Sequence, residues 1–135
     1  MDAIADTGYL LALLRQDDRY HVWARSLATQ VSLPLLTCEA VLAETAFHLR
    51  SASHVLRLIQ EGGVRVAFDC SAHVERLFDL AKQYADRRPD LADLCLIRMS
   101  ELFPRHTLVT VDEEDFRVYR RNKREAIPLI CPPRQ

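Results

Sequence analysis

Asp90 and Asp93 stand three residues apart, just ahead of the apolar run Leu94-Cys95-Leu96-Ile97. That spacing puts both carboxylates on roughly one face at the head of a helix. Asp112 follows directly on Thr107-Leu108-Val109-Thr110-Val111, a strand-like run. It therefore falls at the carboxyl end of a strand, the edge where open α/β sheets bind ligands. Asp6 closes the first apolar run, Ala3-Ile4-Ala5, in the same way, and Glu44 sits in a mostly apolar helix. Carboxylates gathered at one point repel unless a positive charge lies between them. A hard divalent cation with oxygen ligands, Mg²⁺ or Mn²⁺, is the usual answer.

Each acid also has a plainer role open to it. Asp90 can cap a helix after Pro89, with Asp93 completing a box-like cap. Asp6 and Asp112 can be turn residues, and Glu113, Glu114 and Asp115 an acidic loop or helix start. Glu44 can be an ordinary solvated helix residue. Asp93 fits its plain role worst, because a charge facing an apolar helix needs a partner. Glu39, in the first turn of the same helix as Glu44, suits the helix dipole and reads as a capping or solvent residue.

The elements that must position these acids alternate along the chain. Strands are expected at 2–6, 34–37, 64–68 and 107–111, with a possible fifth at 127–130 whose proline fits only an edge or a strand end. Helices are expected at 9–15, from Asp17 or Asp18 through Val31, at 38–50 with Thr37 able to cap it, at 51–61 closed by Gly62-Gly63, at 72–85 and from Asp90 onward. Residues 115–121 read as a short helix or an irregular turn. Alternating strands and helices call for a parallel sheet of four to five strands with helices on both faces.

The 135 residues suit one domain, 1–135. A net charge of −1 excludes a globally basic nucleic-acid binder but permits a local basic patch. Arg117, Arg120, Arg121, Lys123 and Arg124 follow the acidic loop, and Arg87 and Arg88 precede the central helix. They could hold phosphates flanking a metal site, or simply form a solvated basic face. Tyr20 and Trp23 could stack on bases or pack in a core or a dimer. Four scattered cysteines with no C-x-x-C read as small buried side chains. No apolar run is long enough to cross a bilayer, and residues 1–14 carry two acids and no basic residue, unlike a signal peptide. The expectation is cytoplasmic residence.

"IADTGYLLALL" with Asp6, "TCEAVLAE" with Glu44, "DLADLCLI" with Asp90 and Asp93, and "LVTVDEEDF" with Asp112 and Asp115 resemble the PIN domain, in particular the stand-alone VapC-type toxins of toxin–antitoxin pairs. The resemblance spans essentially the whole chain. It implies that Asp6, Glu44, Asp93 and Asp112 form an acidic catalytic cluster holding Mg²⁺ or Mn²⁺ and hydrolysing RNA phosphodiester bonds. Thr110 matches the hydroxyl residue two before the last acid, and Asp90, Asp115 and Thr7 become supporting residues. A small antitoxin partner and a homodimer are expected on the same ground. Gly8 departs from the pattern, since many members carry a small polar residue there, and "RMSE" at 98–101 replaces an alanine-rich continuation. A non-catalytic PIN-like module that binds RNA or protein is the alternative. Gly8 stands where a haloacid-dehalogenase-type phosphatase needs a second Asp. A receiver domain could use Asp69 as phosphoacceptor, but Asp6 has no acidic neighbour. The chain holds no P-loop or dinucleotide fingerprint.

Overall fold

The structure, a computed structural model, describes residues 1–134; Gln135, the last residue of the expected domain, lies outside the described residues. In chain order the elements are β1 (Ala3–Ala5), α1 (Thr7–Leu14), α2 (His21–Ala28), β2 (Leu35–Thr37), α3 (Glu39–Leu49), α4 (Ala52–Gln60), β3 (Val64–Val66), α5 (Val74–Gln83), α6 (Leu91–Leu102), β4 (Thr107–Val109), α7 (Glu113–Val118), β5 (Arg120–Arg121), β6 (Glu125–Ala126) and β7 (Leu129–Ile130).

Five strands form one parallel sheet in the order β3-β2-β1-β4-β7. The protein is thus an α/β fold, compatible with a single PIN-like domain. Every residue of β1 and β2 is buried, as strands covered on both faces require. Ala5 pairs with Val109 and Ile4 with both Leu36 and Leu108. From β1 the chain moves outward on one side to β2 and β3, then returns across the sheet to β4. Right-handed crossovers therefore put α1 to α4 on one face and α5 and α6 on the other. The reversal falls between β1 and β4, so their carboxyl ends flank the crevice where such folds bind ligands. Pro128 precedes β7 at the sheet edge, where its missing N–H costs nothing.

The helix starts explain how the acids are aimed. Asp6, Asp90 and Asp112 are the N-caps of α1, α6 and α7. Each carboxylate accepts a backbone N–H, from Thr7, Asp93 and Asp115 respectively. α6 runs through the core: Ala92, Leu94, Cys95, Leu96, Ile97, Met99 and Ser100 are all buried. Several local expectations need correcting. Asp18 accepts the Tyr20 N–H in a turn, so the second helix starts later, at His21, and ends at Ala28. Thr37 does not cap α3, because its hydroxyl is spent on the Ala5 carbonyl, stapling β2 to β1; Cys38 holds the cap position. Ahead of α5, Asp69 caps a 3-10 turn at Cys70–His73 by accepting from Ser71. Phe47 in α3 and Phe78 in α5 fall at helical spacing with apolar neighbours, yet they are 77% and 61% exposed.

Candidate functional site

A cleft of about 400 Å³ opens at the carboxyl ends of β1 and β4. Asp6, Glu44, Asp93, Asp112, Asp90 and Asp115 all line it, with Thr7, Gly8 and His48. The four acids expected to form one cluster therefore share one cleft, and no Lys or Arg is in its lining.

Asp6 is the anchor. Its Oδ1 accepts from the Thr7 N–H at 2.7 Å, and its Oδ2 accepts from the Thr110 hydroxyl at 2.7 Å. Thr110 is fully buried, and its Oγ1 also accepts the Asp112 N–H at 3.0 Å. One hydroxyl thus joins the two acids that leave β1 and β4. Gly8 makes this closeness possible: a Cβ there would run into Val111 Cγ2. This is the physical reason for the glycine where a small polar residue was expected.

The carboxyls pay for their crowding in acidity. Burial pushes Asp6 up to about 6, against the lowering effect of its Thr110 and Thr7 hydrogen bonds, with Glu44 and Asp112 adding repulsion. Asp93 is pushed up to about 8, by burial first and then by Asp90, Asp6 and Asp112. Glu44 is raised by burial and by Asp90, and Asp112 by burial foremost. At neutral pH Asp93 keeps its proton for want of another positive charge beside it.

The box-like cap expected of Asp90 and Asp93 is tight in one direction, where Asp90 Oδ1 accepts the Asp93 N–H at 2.8 Å. In return the Asp90 N–H lowers the Asp93 carboxyl pKa a little, and Asp93 lines the cleft. Asp115 is tied down: it pairs with Arg87 at 2.7 Å. The buried Tyr119 hydroxyl has no hydrogen-bond partner among the described residues, and the buried Thr7 hydroxyl lies close enough to Glu44 to lower its pKa. Tyr119 is fully buried, and its pKa is raised by burial and by Asp93. Sequence reasoning missed it, since nothing about an aromatic residue after Asp112 signals a polar atom beside Asp93.

The donor set is all oxygen and lacks a neutralising cation, which fits Mg²⁺ or Mn²⁺. The ligands are not drawn together: among the described residues, no three His, Cys, Asp or Glu side chains are gathered as a ready metal site. The cause is visible in the caps, which turn Asp6, Asp90 and Asp112 toward their own helix N-termini.

The basic residues divide. Arg121 is a correction to the expected phosphate-holding set: it is 6% exposed, donates to the Ser100 and Pro104 carbonyls and pairs with Glu125 at 2.6 Å. It fastens the β5–β6 hairpin to the far end of α6, about 10 Å along the helix axis from Asp93. Arg117 pairs with Glu113, and Arg120 donates to the Arg117 and Tyr119 carbonyls. Arg88, Lys123 and Arg124 are exposed. No helix is long and apolar enough to cross a membrane among the described residues. No family model matches the chain, and no curated protein matches it in sequence.

Proposed function

We propose that this protein is a divalent-metal-dependent endoribonuclease of the PIN type, acting in the cytoplasm as the toxin of a toxin–antitoxin pair. One observation carries the reading: Asp6, Glu44, Asp93 and Asp112 share one cleft at the sheet's switch point, with raised pKa values and no Lys or Arg among them. Asp6 and Asp93 would hold Mg²⁺ or Mn²⁺, with Asp112 and Glu44 acting through its waters; the bound ion supplies charge neutralisation of the phosphodiester and a more acidic water. The chain supplies the rest. Thr110 fixes the spacing of Asp6 and Asp112. The N-termini of α1 and α6 bring partial positive charge to the cluster. Of the basic residues that neighbour the acids in sequence, Arg87, paired with the cleft residue Asp115, is best placed to meet a flanking phosphate, and the exposed Arg88 and Lys123, with Arg117 and Arg120, would add to it. A homodimer and a small antitoxin covering the cleft belong to the same reading.

The test is RNA cleavage with Mn²⁺ or Mg²⁺ by wild type, Asp6→Asn and Asp93→Asn, each shown folded by circular dichroism. Cleavage by wild type alone is expected. Full activity in either variant would sink the assignment. The capped carboxylates favour one second reading, a non-catalytic RNA- or protein-binding module. RNA binding without cleavage at any metal concentration would establish it.

A further inference from the structure

A second depression, about 570 Å³, adjoins the acidic cleft. Leu14, Arg15, His48, Leu49, Arg50 and His54 line it. His48 lines the acidic cleft as well, so the two share a wall. Their signs are opposite: the acidic cleft has no Lys or Arg in its lining, and this one has no Asp or Glu. α3 connects them. His48 stands one turn beyond Glu44, roughly 6 Å along the helix axis, and Arg50 roughly 9 Å. Arg15, just past the end of α1, joins from the side because α1 packs on α3. Arg50 closes α3 in the left-handed conformation, at φ 54° and ψ 35°. That position favours glycine and strains a residue that carries a Cβ. Among the described residues no acid pairs with the exposed Arg50, and Arg15 has only the exposed Asp17, at 3.3 Å. His54 uses its Nδ1 on the Ser51 hydroxyl at 2.7 Å, which leaves Nε2 for a ligand. The exposed Phe47 ring stands edge-on to His48, their centroids 5.4 Å apart. Cations beside uncovered rings suit a single-stranded polynucleotide, whose phosphates meet the charges and whose unpaired bases stack on the rings.

We propose that Arg15, Arg50 and His54 form a phosphate-binding shelf for single-stranded RNA, with Phe47 and His48 stacking on its bases, so that the strand leaves the acidic cleft along α3. The choice of RNA as the polyanion rests on the ribonuclease reading. A phosphate over the acids meets like charge unless a metal ion lies between; the next phosphates along the same strand meet fixed positive charge on the shelf. The shelf therefore holds the strand independently of any bound ion. Arginine at the left-handed end of α3 has a use on this account that glycine could not supply.

The test is binding of a fluorescein-labelled, mixed-sequence single-stranded RNA, followed by anisotropy in EDTA over a series of KCl concentrations. Wild type should bind, with log K falling linearly as log salt rises. Arg50→Gly and Arg15→Gln should each make that slope shallower by about 0.7, the share of one phosphate contact on a single strand. Arg50→Lys should keep the wild-type slope. Phe47→Ala should bind more weakly at an unchanged slope, since stacking releases no counterions. Arg57→Gln removes an exposed arginine of α4 outside both depressions and should change nothing. Arg50→Gly should be no less stable than wild type by circular dichroism, because glycine suits the left-handed cap. Arg50→Gln keeps the strain and drops only the charge, and it should match the Arg50→Gly slope. Wild-type slopes in Arg50→Gln and Arg15→Gln would overturn the proposal. So would an equal change in Arg57→Gln, the mark of a diffuse charge effect, or no binding by wild type at the lowest salt. A shallower slope in Arg50→Gln, together with no RNA cleavage by wild type in Mg²⁺ or Mn²⁺, would uphold the shelf and sink the nuclease, so the two readings fail separately.

Discussion

Replacing Asp93 with Asn should make the metal-free protein more stable near neutral pH. The carboxyl of Asp93 titrates at about 8 rather than 3.8. That is roughly four powers of ten in acidity, each worth about 1.4 kcal/mol. The sign follows from proton counting. Below about pH 4 both folded and unfolded chains hold the proton, and Asp93 costs nothing. As pH rises toward 8 the unfolded chain releases it first, so the folded state loses stability across that window. Near pH 7 some three powers of ten count, ~4 kcal/mol. Asp93 is only partly buried, and water screens its repulsions, so about 2 kcal/mol is the expected figure. Asn mimics the protonated acid in shape, and its amide oxygen can still accept from the Asp90 N–H that acts on the Asp93 carboxyl. Urea unfolding followed by circular dichroism, in EDTA at about pH 4 and about pH 7, measures the difference. The variant should match wild type at the lower pH and exceed it at the higher. Added Mn²⁺ should then stabilise wild type and leave the variant unmoved. A variant that is less stable than wild type at about pH 7 in EDTA would refute the electrostatic account of the cleft.

Gly8→Ala forces a methyl group into Val111 and should cost about 1–3 kcal/mol by thermal unfolding, with Val111→Ala restoring most of it in the double variant. Thr110→Val removes the donor to Asp6 and the acceptor for the Asp112 N–H together; a loss of about 2 kcal/mol is expected, and weaker Mn²⁺ binding by calorimetry should accompany it. Glu101 accepts from Arg76 at 2.7 and 3.0 Å and from Arg98 at 3.1 Å, with its side chain 3% exposed. Burial raises its pKa, but Arg76, the Asn122 N–H and Arg98 outweigh that and hold it below the usual range. Glu101→Gln strands two guanidinium groups and should cost about 3 kcal/mol near neutral pH, the gap to wild type closing as pH falls through the lowered carboxyl pKa.

The acidic cleft was legible in the sequence because it obeys a topological rule. Asp6 and Asp112 follow apolar runs, and parallel strands that share a sheet release their chains at one edge. Glu44 and Asp93 were legible from helix position. What no periodicity shows is how a charged group is spent. Arg121 belongs to a basic run that looks solvated, yet its guanidinium caps carbonyls at the end of α6. The β5–β6 hairpin that carries it was missed because its turn uses Asn122 and Lys123 at positive φ, where a glycine signal was absent. The cysteines read as small buried side chains, which Cys38 and Cys95 are, while Cys70 and Cys131 are partly exposed; that three of them line one cleft follows from tertiary packing that no spacing shows. Phe47 and Phe78 follow helical spacing but have nothing among the described residues to cover them.

The Thr110–Asp6 hydrogen bond spans 104 positions of sequence, and this separation orders events in time. β1, β2 and β3 can pair once the first half of the chain exists. β4 cannot join β1 until more than a hundred residues have been made, and pairings of such long range form slowly. On the ribosome, the growing chain carries Asp6, Glu44 and Asp93 well before Asp112 can close the cleft beside them. On the ribonuclease reading proposed above, the centre stays open and unassembled while the chain is still tethered to the ribosome's own RNA, and it is completed only as the last strands emerge.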